Sequence, residues 1–427
     1  MKRNLPNVLM LGWEFPPIIN GGLGVACHDL SIAMSELANI TMIVPKSSPD
    51  FKIRNMNLVG INNVDTSLFD EQSWKPKLPF NVESISADLD PYYSEIKSTF
   101  SRAGMEFSET RSGIDSFNIT DLYGGDVIGK VCRYADIASK LASKMDFDVI
   151  HAHDWMTMIA GMRIKEQSGK PLVMHIHSLE VDRGGEDSRG WVYELEKIGM
   201  QTADLLIPVS NFTSLNIQKF YGISSHKIAV VHNGSTVVNA YKSERKVREK
   251  IVLFVGRLTR QKGPEKFLDI ASKVLEKDPD VRFVMAGVGD YFRSLLEQSS
   301  YKSIGNRFHM TGFLNMQQLH YLFSMSDVYC MPSVSEPFGL SAVEAAQFGI
   351  PCVISKQSGV AEVMSGSMKF DFWDVDKAAD CIINLLSDNV LRQKIVDDSA
   401  KDLRNISWDI SARRIVDTYA QRKLIFN

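Results

Sequence analysis

The sequence is poor in the features that mark several large classes of protein. Among its 427 residues there are five cysteines, and none forms a Cys-x-x-Cys pair, so neither a disulfide framework nor a thiolate zinc site is indicated. The net charge of -3 gives no electrostatic case for a nucleic-acid partner. No apolar run approaches the ~18 residues of a membrane span, and the first residues do not fit a secretory signal. We therefore expect a protein of a reducing compartment, the cytoplasm, and leave peripheral membrane attachment open.

What the chain does contain is a regular alternation of short aliphatic segments with amphipathic ones. The aliphatic segments predict buried strands, and alternating strands and helices are typical of parallel, doubly wound α/β sheets. The predicted strands are NVLML, NITMIV, FDVIHAH, PLVMHIH, DLLIPVS and KIAVVHN, followed after residue 240 by KIVLFVGR, RFVMAGVG, FHMTGF, VYCMPS and PCVIS. Because the alternation starts again after residue 240, we expect two α/β units of comparable size.

Changes in composition suggest where these units begin and end. Residues 1–240 form the predicted N-terminal domain and 241–406 the C-terminal one, with a charged segment between them. Within the first, the pattern weakens over 51–120, where polar stretches predict an irregular insertion. The last segment, 407–427, has helical periodicity, and we expect this helix to return to the N-terminal domain.

The segment IINGGLG, residues 18–24, follows the first predicted strand and precedes an amphipathic helix. Gly21 and Gly22 have no Cβ to keep a phosphate away from the backbone, and a helix N-terminus favours negative charge. A plain tight turn is an equal alternative on this stretch alone. The glycines do not form G-x-G-x-x-G, and no acidic residue ends the second strand, so a dinucleotide fold is disfavoured.

Two cations follow the first strand of the second series. Arg257 and Lys262 flank a turn that ends at Pro264, a favourable first residue for a helix. Open α/β sheets bind ligands at the carboxyl ends of their strands, and two cations there suit a diphosphate. The alternative, a solvated basic turn, is weaker for Arg257 because it directly follows a buried strand.

A later segment, SEPFGLSAVEAAQFGIPCV, carries two carboxylates eight residues apart. Glu336 precedes a predicted helix and Glu344 lies within it, and carboxylates accept hydrogen bonds from sugar and ribose hydroxyls. Between them Phe338, Gly339 and Leu340 open the helix and offer backbone N–H groups to an anion. A capping acid and a surface acid are the alternative, which fits Glu344 poorly because its neighbours are apolar.

Taken together, these motifs resemble the retaining nucleotide-sugar glycosyltransferases of the GT-B fold. The similarity is greatest to glycosyltransferase family 4, including its glycogen-synthase-like members. The matching segments are GWEFPPIINGGLG, DVIHAHDW, HIHSLE, IPVSNF, VVHNG, VGRLTRQKG, FVMAGVGD and SEPFGLSAVEAAQFGIPCV. The resemblance implies two Rossmann-like, doubly wound domains facing a central cleft, the N-terminal one on the acceptor side and the C-terminal one holding the nucleotide sugar.

The resemblance also implies roles for the residues of the C-terminal half. Glu344 would hold the ribose hydroxyls and Glu336 a hydroxyl of the transferred sugar. Arg257 and Lys262 would neutralise the diphosphate leaving group. Gly287, at the end of the strand RFVMA, would pass near the nucleoside.

The N-terminal domain would complete the phosphate cradle with Gly21 and Gly22, meeting the backbone N–H groups near Gly339 and Leu340. His153 would face the transferred sugar, although a strand-end histidine read without the resemblance is more often a packing residue. We expect His151 and His175 to point elsewhere.

The function implied is transfer of a hexose, most simply glucose, from UDP- or ADP-glucose to a glucan or other glycan, with retention and with neither metal nor cofactor. Bacterial glycogen and plant starch synthases carry Lys-x-Gly-Gly where this chain has Ile19-Asn20-Gly21-Gly22, so the donor nucleotide stays open. Two alternatives share the architecture: a sugar-nucleotide epimerase and a non-catalytic nucleotide-sugar-binding protein.

Overall fold

Two separate parallel sheets organise the protein. The structure is a computed structural model that describes residues 5–19, 21–48, 53–64, 122, 126–241 and 248–425. Within these ranges each sheet has six strands, and every pairing between neighbouring strands is parallel. The predicted fold class, two doubly wound α/β units, is therefore confirmed.

The first sheet is built from the N-terminal series, in the strand order β3-β2-β1-β4-β5-β6. Its strands are Asn7–Leu11 (β1), Asn39–Val44 (β2), Met56–Gly60 (β3), Val149–His153 (β4), Leu172–Ile176 (β5) and Leu205–Pro208 (β6). Its helices are Gly22–Ser35 (α1), Val127–Ala142 (α2), Trp155–Ser168 (α3), Glu180–Gly184 (α4), Trp191–Thr202 (α5) and Asn211–Tyr221 (α6).

The second sheet has the order β12-β11-β10-β7-β8-β9. Its strands are Ile251–Val255 (β7), Arg282–Ala286 (β8), Phe308–Gly312 (β9), Val328–Met331 (β10), Cys352–Ser355 (β11) and Met368–Phe370 (β12). The helices that follow are Pro264–Lys277 (α7), Phe292–Tyr301 (α8), Met316–Met325 (α9), Leu340–Gln347 (α10), Val360–Val363 (α11), Val375–Ser387 (α12), Asn389–Leu403 (α13) and Trp408–Gln421 (α14).

Both faces of each sheet are covered by an apolar core, which explains why the strands read as continuous aliphatic runs. Successive strand residues point to opposite faces, so Val8 and Leu9 enter different clusters. In the second sheet Leu253 and Phe254 divide in the same way.

The last helix leaves the second sheet and packs on the first. Four side chains of α14 lie buried in the cluster that also contains Ala26 and Leu30 of α1. These four are Trp408, Ala412, Ile415 and Tyr419.

Each sheet has a topological switch point, where the chain changes the direction in which it adds strands. The switch lies between β1 and β4 in the first sheet and between β7 and β10 in the second. The crevice at the carboxyl ends of such strand pairs is where open α/β sheets bind ligands. The loops after these four strands are therefore the places to examine for a site.

Some expectations differ from the structure. The segment KIAVVHN, predicted to be a strand, forms only an isolated bridge between Ile228 and Leu206. The range 51–120, predicted to be irregular, lies outside the described residues except for 53–64, where β3 pairs with β2. Among the described helices, none has the length and apolar character needed to cross a bilayer.

Candidate functional site

A buried ion pair lies at the switch point of the second sheet. The Lys262 Nζ atom is 2.6 Å from the Glu336 Oε2 atom, and the Ser333 hydroxyl donates to the same oxygen at 3.2 Å. The lysine side chain is 21% exposed and the glutamate 6%. At this distance and degree of burial the two charges attract each other strongly. The Lys262 side chain nevertheless stays partly exposed, so it can also contact a ligand.

The backbone holds the two loops of this ion pair together. Gly263 adopts a left-handed conformation, φ 66°, and a Cβ there would lie 2.2 Å from the carbonyl oxygen of Pro332. Val334 N–H donates to the Gln261 carbonyl at 2.9 Å. The loop after β7 and the loop after β10 are therefore in direct backbone contact beside the ion pair.

Glu344 lies in α10 without a hydrogen-bond donor among the described residues. Burial raises the pKa of its carboxyl group to about 7. A carboxylate taken out of water without partners is unstable in its charged form. Hydroxyl donors from a ligand would supply the missing hydrogen bonds, so this position is a candidate for binding a diol.

Two helix N-termini face each other across the space between the sheets. A Cβ built at Gly22, the first residue of α1, would lie 3.9 Å from the Leu340 Cδ1 atom at the start of α10. Neither helix has an acidic residue in its first turn or a side-chain cap. The buried Glu14 carboxylate lies against the first turn of α1, with its Oε2 atom 2.8 Å from a Cβ built at Gly24. Helix N-termini favour an anion, and at α10 no described side chain caps the first N–H groups.

Backbone conformation explains the glycine at position 339 but not the one at position 21. Gly339 has φ 111°, a left-handed conformation that favours glycine, and it follows the buried Phe338. Gly21 has extended backbone, φ -178°, and is exposed, and a Cβ there would meet no atom of the described residues within 4 Å. The fold itself does not require glycine at position 21, so the requirement would come from a ligand.

Arg257 lies just after β7, the strand that Lys262 also follows, and Gly287 lies just after the neighbouring strand β8. Arg257 is exposed directly after β7, and the Lys262 stem passes 3.7 Å from the Cβ position of Gly256. Gly287 has φ 147°, and a Cβ there would be 1.9 Å from the Gly256 carbonyl oxygen. Close packing of the β7 and β8 ends thus accounts for a glycine at 287, and its contact with a nucleoside stays a prediction.

His153 ends β4 at the switch point of the first sheet, inside a cluster of four histidines. Its Nδ1 atom is 2.9 Å from His177 Nε2, and its own Nε2 atom has no partner in the described part of the chain. Burial lowers the pKa of His153 to about 3, so the ring is neutral. His151 and His175 hydrogen bond each other at 3.1 Å beside this pair.

The expectation that His151 and His175 point elsewhere is therefore wrong. Residues two apart on a strand share a face, and β4 and β5 are neighbours in register, so both His-x-His pairs meet. Ligand atoms of Cys27, His153 and His177 lie within 4.8 Å of one another, a set that could hold a metal ion. The rings already hydrogen bond one another in pairs, so the network forms without an ion.

Side chains that join the two halves of the molecule were not predicted. Ser335 Oγ donates to Asp182 Oδ1 at 2.6 Å. The Glu362 carboxylate accepts from the backbone N–H groups of Asn211 and Phe212, the first residues of α6. The segment HIHSLE pointed to the neighbourhood of Asp182, but nothing in the sequence indicated its partner.

The candidate residues therefore converge only in part. The structure joins Lys262 to Glu336 and sets Gly22 against Leu340, with Glu344 one helical turn beyond. His153 lies buried in the first sheet.

Two family models together match most of the chain. Residues 7–230 match the family model described as starch synthase catalytic domain, and 239–402 match glycosyl transferases group 1. An uncharacterized glycosyltransferase of Methanocaldococcus jannaschii is 28% identical over 438 residues, 96% of this chain and 97% of the relative. The glycogen synthase of Mycobacterium tuberculosis is 25% identical over 367 residues, 84% of this chain and 80% of that protein.

Solved structures share the fold at lower identity. Sucrose-phosphate synthase from Thermosynechococcus elongatus superposes with a TM-score of 0.70 at 16% identity, covering 98% of this chain and 99% of the other. Anabaena HepE in complex with UDP-glucose gives a TM-score of 0.66 at 16% identity, covering 97% and 100%.

Proposed function

Because the chain belongs to the GT-B glycosyltransferases, with a starch synthase catalytic domain followed by a glycosyl transferases group 1 domain, we propose that it is a retaining hexosyltransferase. It moves a hexose, most simply glucose, from a nucleoside diphosphate to a glycan. The observation that carries this proposal is the Lys262–Glu336 pair at the switch point, beside two helix N-termini that have no acidic residue in their own first turns.

The donor diphosphate binds between the two helix N-termini. The N–H groups of Gly21 and Gly22, which are exposed residues, approach it from one side, and those of Gly339 and Leu340 approach it from the other. Lys262 and Arg257 supply positive charge from the loop after β7. An anion held by groups from both halves draws them together, which excludes water from the reacting sugar.

The two carboxylates select hydroxyl groups. The unpartnered Glu344 carboxylate accepts from the ribose hydroxyls, which offset the cost of its burial. Glu336 accepts from a hydroxyl of the sugar. Its Oε2 atom is already bound by Lys262 and Ser333, an arrangement that fixes its orientation and makes it a poor nucleophile.

Chemistry then proceeds on the front face of the sugar. The bond to the diphosphate breaks through an oxocarbenium-like state, and the departing phosphate takes the proton of the acceptor hydroxyl. Lys262, Arg257 and the helix N-termini stabilise the charge that grows on the leaving group. The proposed role of His153 in orienting the sugar requires its buried Nε2 atom, which has no partner among the described residues, to become accessible when the donor binds. No metal is needed, because protein groups already supply the positive charge.

UDP-glucose and ADP-glucose are the donors to test first. A neighbour in fold is in complex with UDP-glucose, and a relative in sequence is a glycogen synthase. The acceptor is a glucan or another glycan.

The experiment combines each donor with glycogen or maltooligosaccharides, with and without EDTA. Nucleotide release that requires the acceptor, persists in EDTA and gives a product with the anomeric configuration of the donor supports the proposal. Interconversion of the sugar without an acceptor would identify an epimerase. Tight donor binding without turnover would identify a binding protein.

A further inference from the structure

The short helix α4 of the first half touches both loops that carry the ion pair. Asp182 in α4 is 2% exposed, and its Oδ1 atom accepts from Ser335 Oγ at 2.6 Å and from Asn216 Nδ2 at 3.0 Å. Its Oδ2 atom accepts from the Leu179 backbone N–H at 2.9 Å. Three donors thus satisfy a buried carboxylate, but only Ser335 comes from the other half of the molecule.

Ser335 is the residue directly before Glu336, so this hydrogen bond ends one peptide away from the ion pair. The same helix is followed by Gly185, whose backbone lies against the Arg260 guanidinium group. A Cβ at Gly185 would be 2.5 Å from Arg260 Nη1. Segment 182–185 therefore contacts both the loop after β7 and the loop after β10.

Loss of the hydrogen bond from Ser335 would destabilise the buried Asp182 carboxylate. Burial raises the pKa of Asp182, and the hydrogen bond from Ser335 is the largest of the influences that lower it. A buried carboxylate that loses its shortest hydrogen bond is left with less compensation for its burial, which here comes from the donors Asn216 and Leu179. Separation of the two halves would break this bond, so it stabilises the arrangement of the halves described here together with the position of the Glu336 loop.

We propose that Asp182 is a positioning residue for the transfer reaction, fixing the loop of Glu336 through the Ser335 hydroxyl when the halves are closed. The inference rests on the proposed function for its kinetic consequence. Asp182 acts through Ser335 and need not contact the substrates.

The test compares Ser335→Ala with Asn216→Ala. Both remove a donor to the same oxygen of Asp182, but Asn216 lies in the same half as Asp182, so its loss leaves the link between the halves intact. We expect Ser335→Ala to lower kcat about tenfold to a hundredfold, equivalent to roughly 1.5–3 kcal/mol, with the Kd for UDP or ADP changed less than about twofold. Asn216→Ala should leave kcat within about twofold, and Ser335→Thr should retain most of the activity.

Asp182→Ala and its combination with Ser335→Ala complete the cycle. If the two residues act as a unit, the double variant is about as slow as the slower single variant. The proposal would be overturned if the kcat losses of the two single variants multiplied in the double variant. It would also be overturned by an unchanged kcat in Ser335→Ala, or by an equal loss of kcat in Asn216→Ala.

A second readout does not depend on turnover. Hydrogen exchange of the Val334 and Glu336 amides, which donate to Gln261 and Gln357, should be about tenfold faster in Ser335→Ala than in the wild type. It should be unchanged in Asn216→Ala. If the wild type transfers no sugar but exchange is still faster in Ser335→Ala than in Asn216→Ala, the proposed function fails while the positioning contact stands. Equal exchange rates in Ser335→Ala and Asn216→Ala would refute the contact.

Discussion

Replacing Lys262 by methionine tests the leaving-group account most directly. Methionine preserves an apolar stem against Gly256 and removes only the charge. If Lys262 stabilises the departing phosphate, kcat should fall about 10²–10³-fold while the KM for the donor changes little.

The same substitution leaves Glu336 without its cation. Removing one partner of a buried ion pair costs roughly 3–5 kcal/mol of the free energy of unfolding. We expect the lower end, about 3 kcal/mol, because the Lys262 side chain is 21% exposed and the Ser333 hydrogen bond to Glu336 remains. A slow variant could therefore be slow because it is damaged, and the rate alone would not decide.

The double variant Lys262→Met/Glu336→Gln separates the two effects. Glutamine needs no cation, so the melting temperature should recover most of the loss, whereas kcat should stay at or below that of Lys262→Met. Nucleotide release and thermal unfolding are measured on the wild type, both single variants and the double. Recovery of the rate together with stability would show that Lys262 serves only Glu336. A rise in KM with kcat unchanged would show uniform binding of the donor.

Three further outcomes follow from single positions. Burial raises the pKa of Glu344 to about 7, and its charged form is the stronger acceptor, with two equivalent oxygens for the two ribose hydroxyls. Nucleotide affinity measured by calorimetry should therefore fall by up to about tenfold per pH unit below pH 7, and Glu344→Gln should bind weakly without this dependence. Gly21→Ala should leave the melting temperature unchanged, because a Cβ there meets no atom within 4 Å in the part of the chain that the structure describes. It should weaken donor binding about tenfold, and an unchanged affinity would show that a ligand does not explain this glycine. Gly287→Ala should lower the melting temperature, because its Cβ would collide with the Gly256 carbonyl at 1.9 Å, and an unchanged transition would contradict the packing account.

The elements most visible in the sequence are those specified by local chemistry. Pro264 was expected to open a helix, and α7 begins there because the ring fixes φ and the missing N–H is not needed at a helix start. The aliphatic strands were recognisable because both faces of each sheet are buried. KIAVVHN has the same composition but makes only one bridge to β6, since strand pairing depends on the neighbour as well as the segment.

The candidate site was visible where topology alone brings residues together. Lys262 and Glu336 each follow a strand of the second sheet, and the carboxyl ends of β7 and β10 are adjacent. Asp182 and Ser335 are 153 residues apart and belong to different sheets, so their meeting depends on how the two halves pack, which no local pattern encodes. The histidine cluster was predictable only in part. The spacing of two residues places each pair of histidines on one face of its strand, but it does not specify the register of β4 against β5.

The placement of α14 has a consequence for the order in which the protein can be made. Ala26 and Leu30 of α1 are covered by side chains from a helix that begins at residue 408, and Tyr419 hydrogen bonds with His151 of β4. A ribosome must therefore finish nearly the whole polypeptide before the first-synthesised sheet can close its core. A chain truncated before Trp408 should expose an aggregation-prone apolar face on the amino-terminal half. The turn at Gly21 and Gly22 would then precede a helix, α1, that α14 no longer covers.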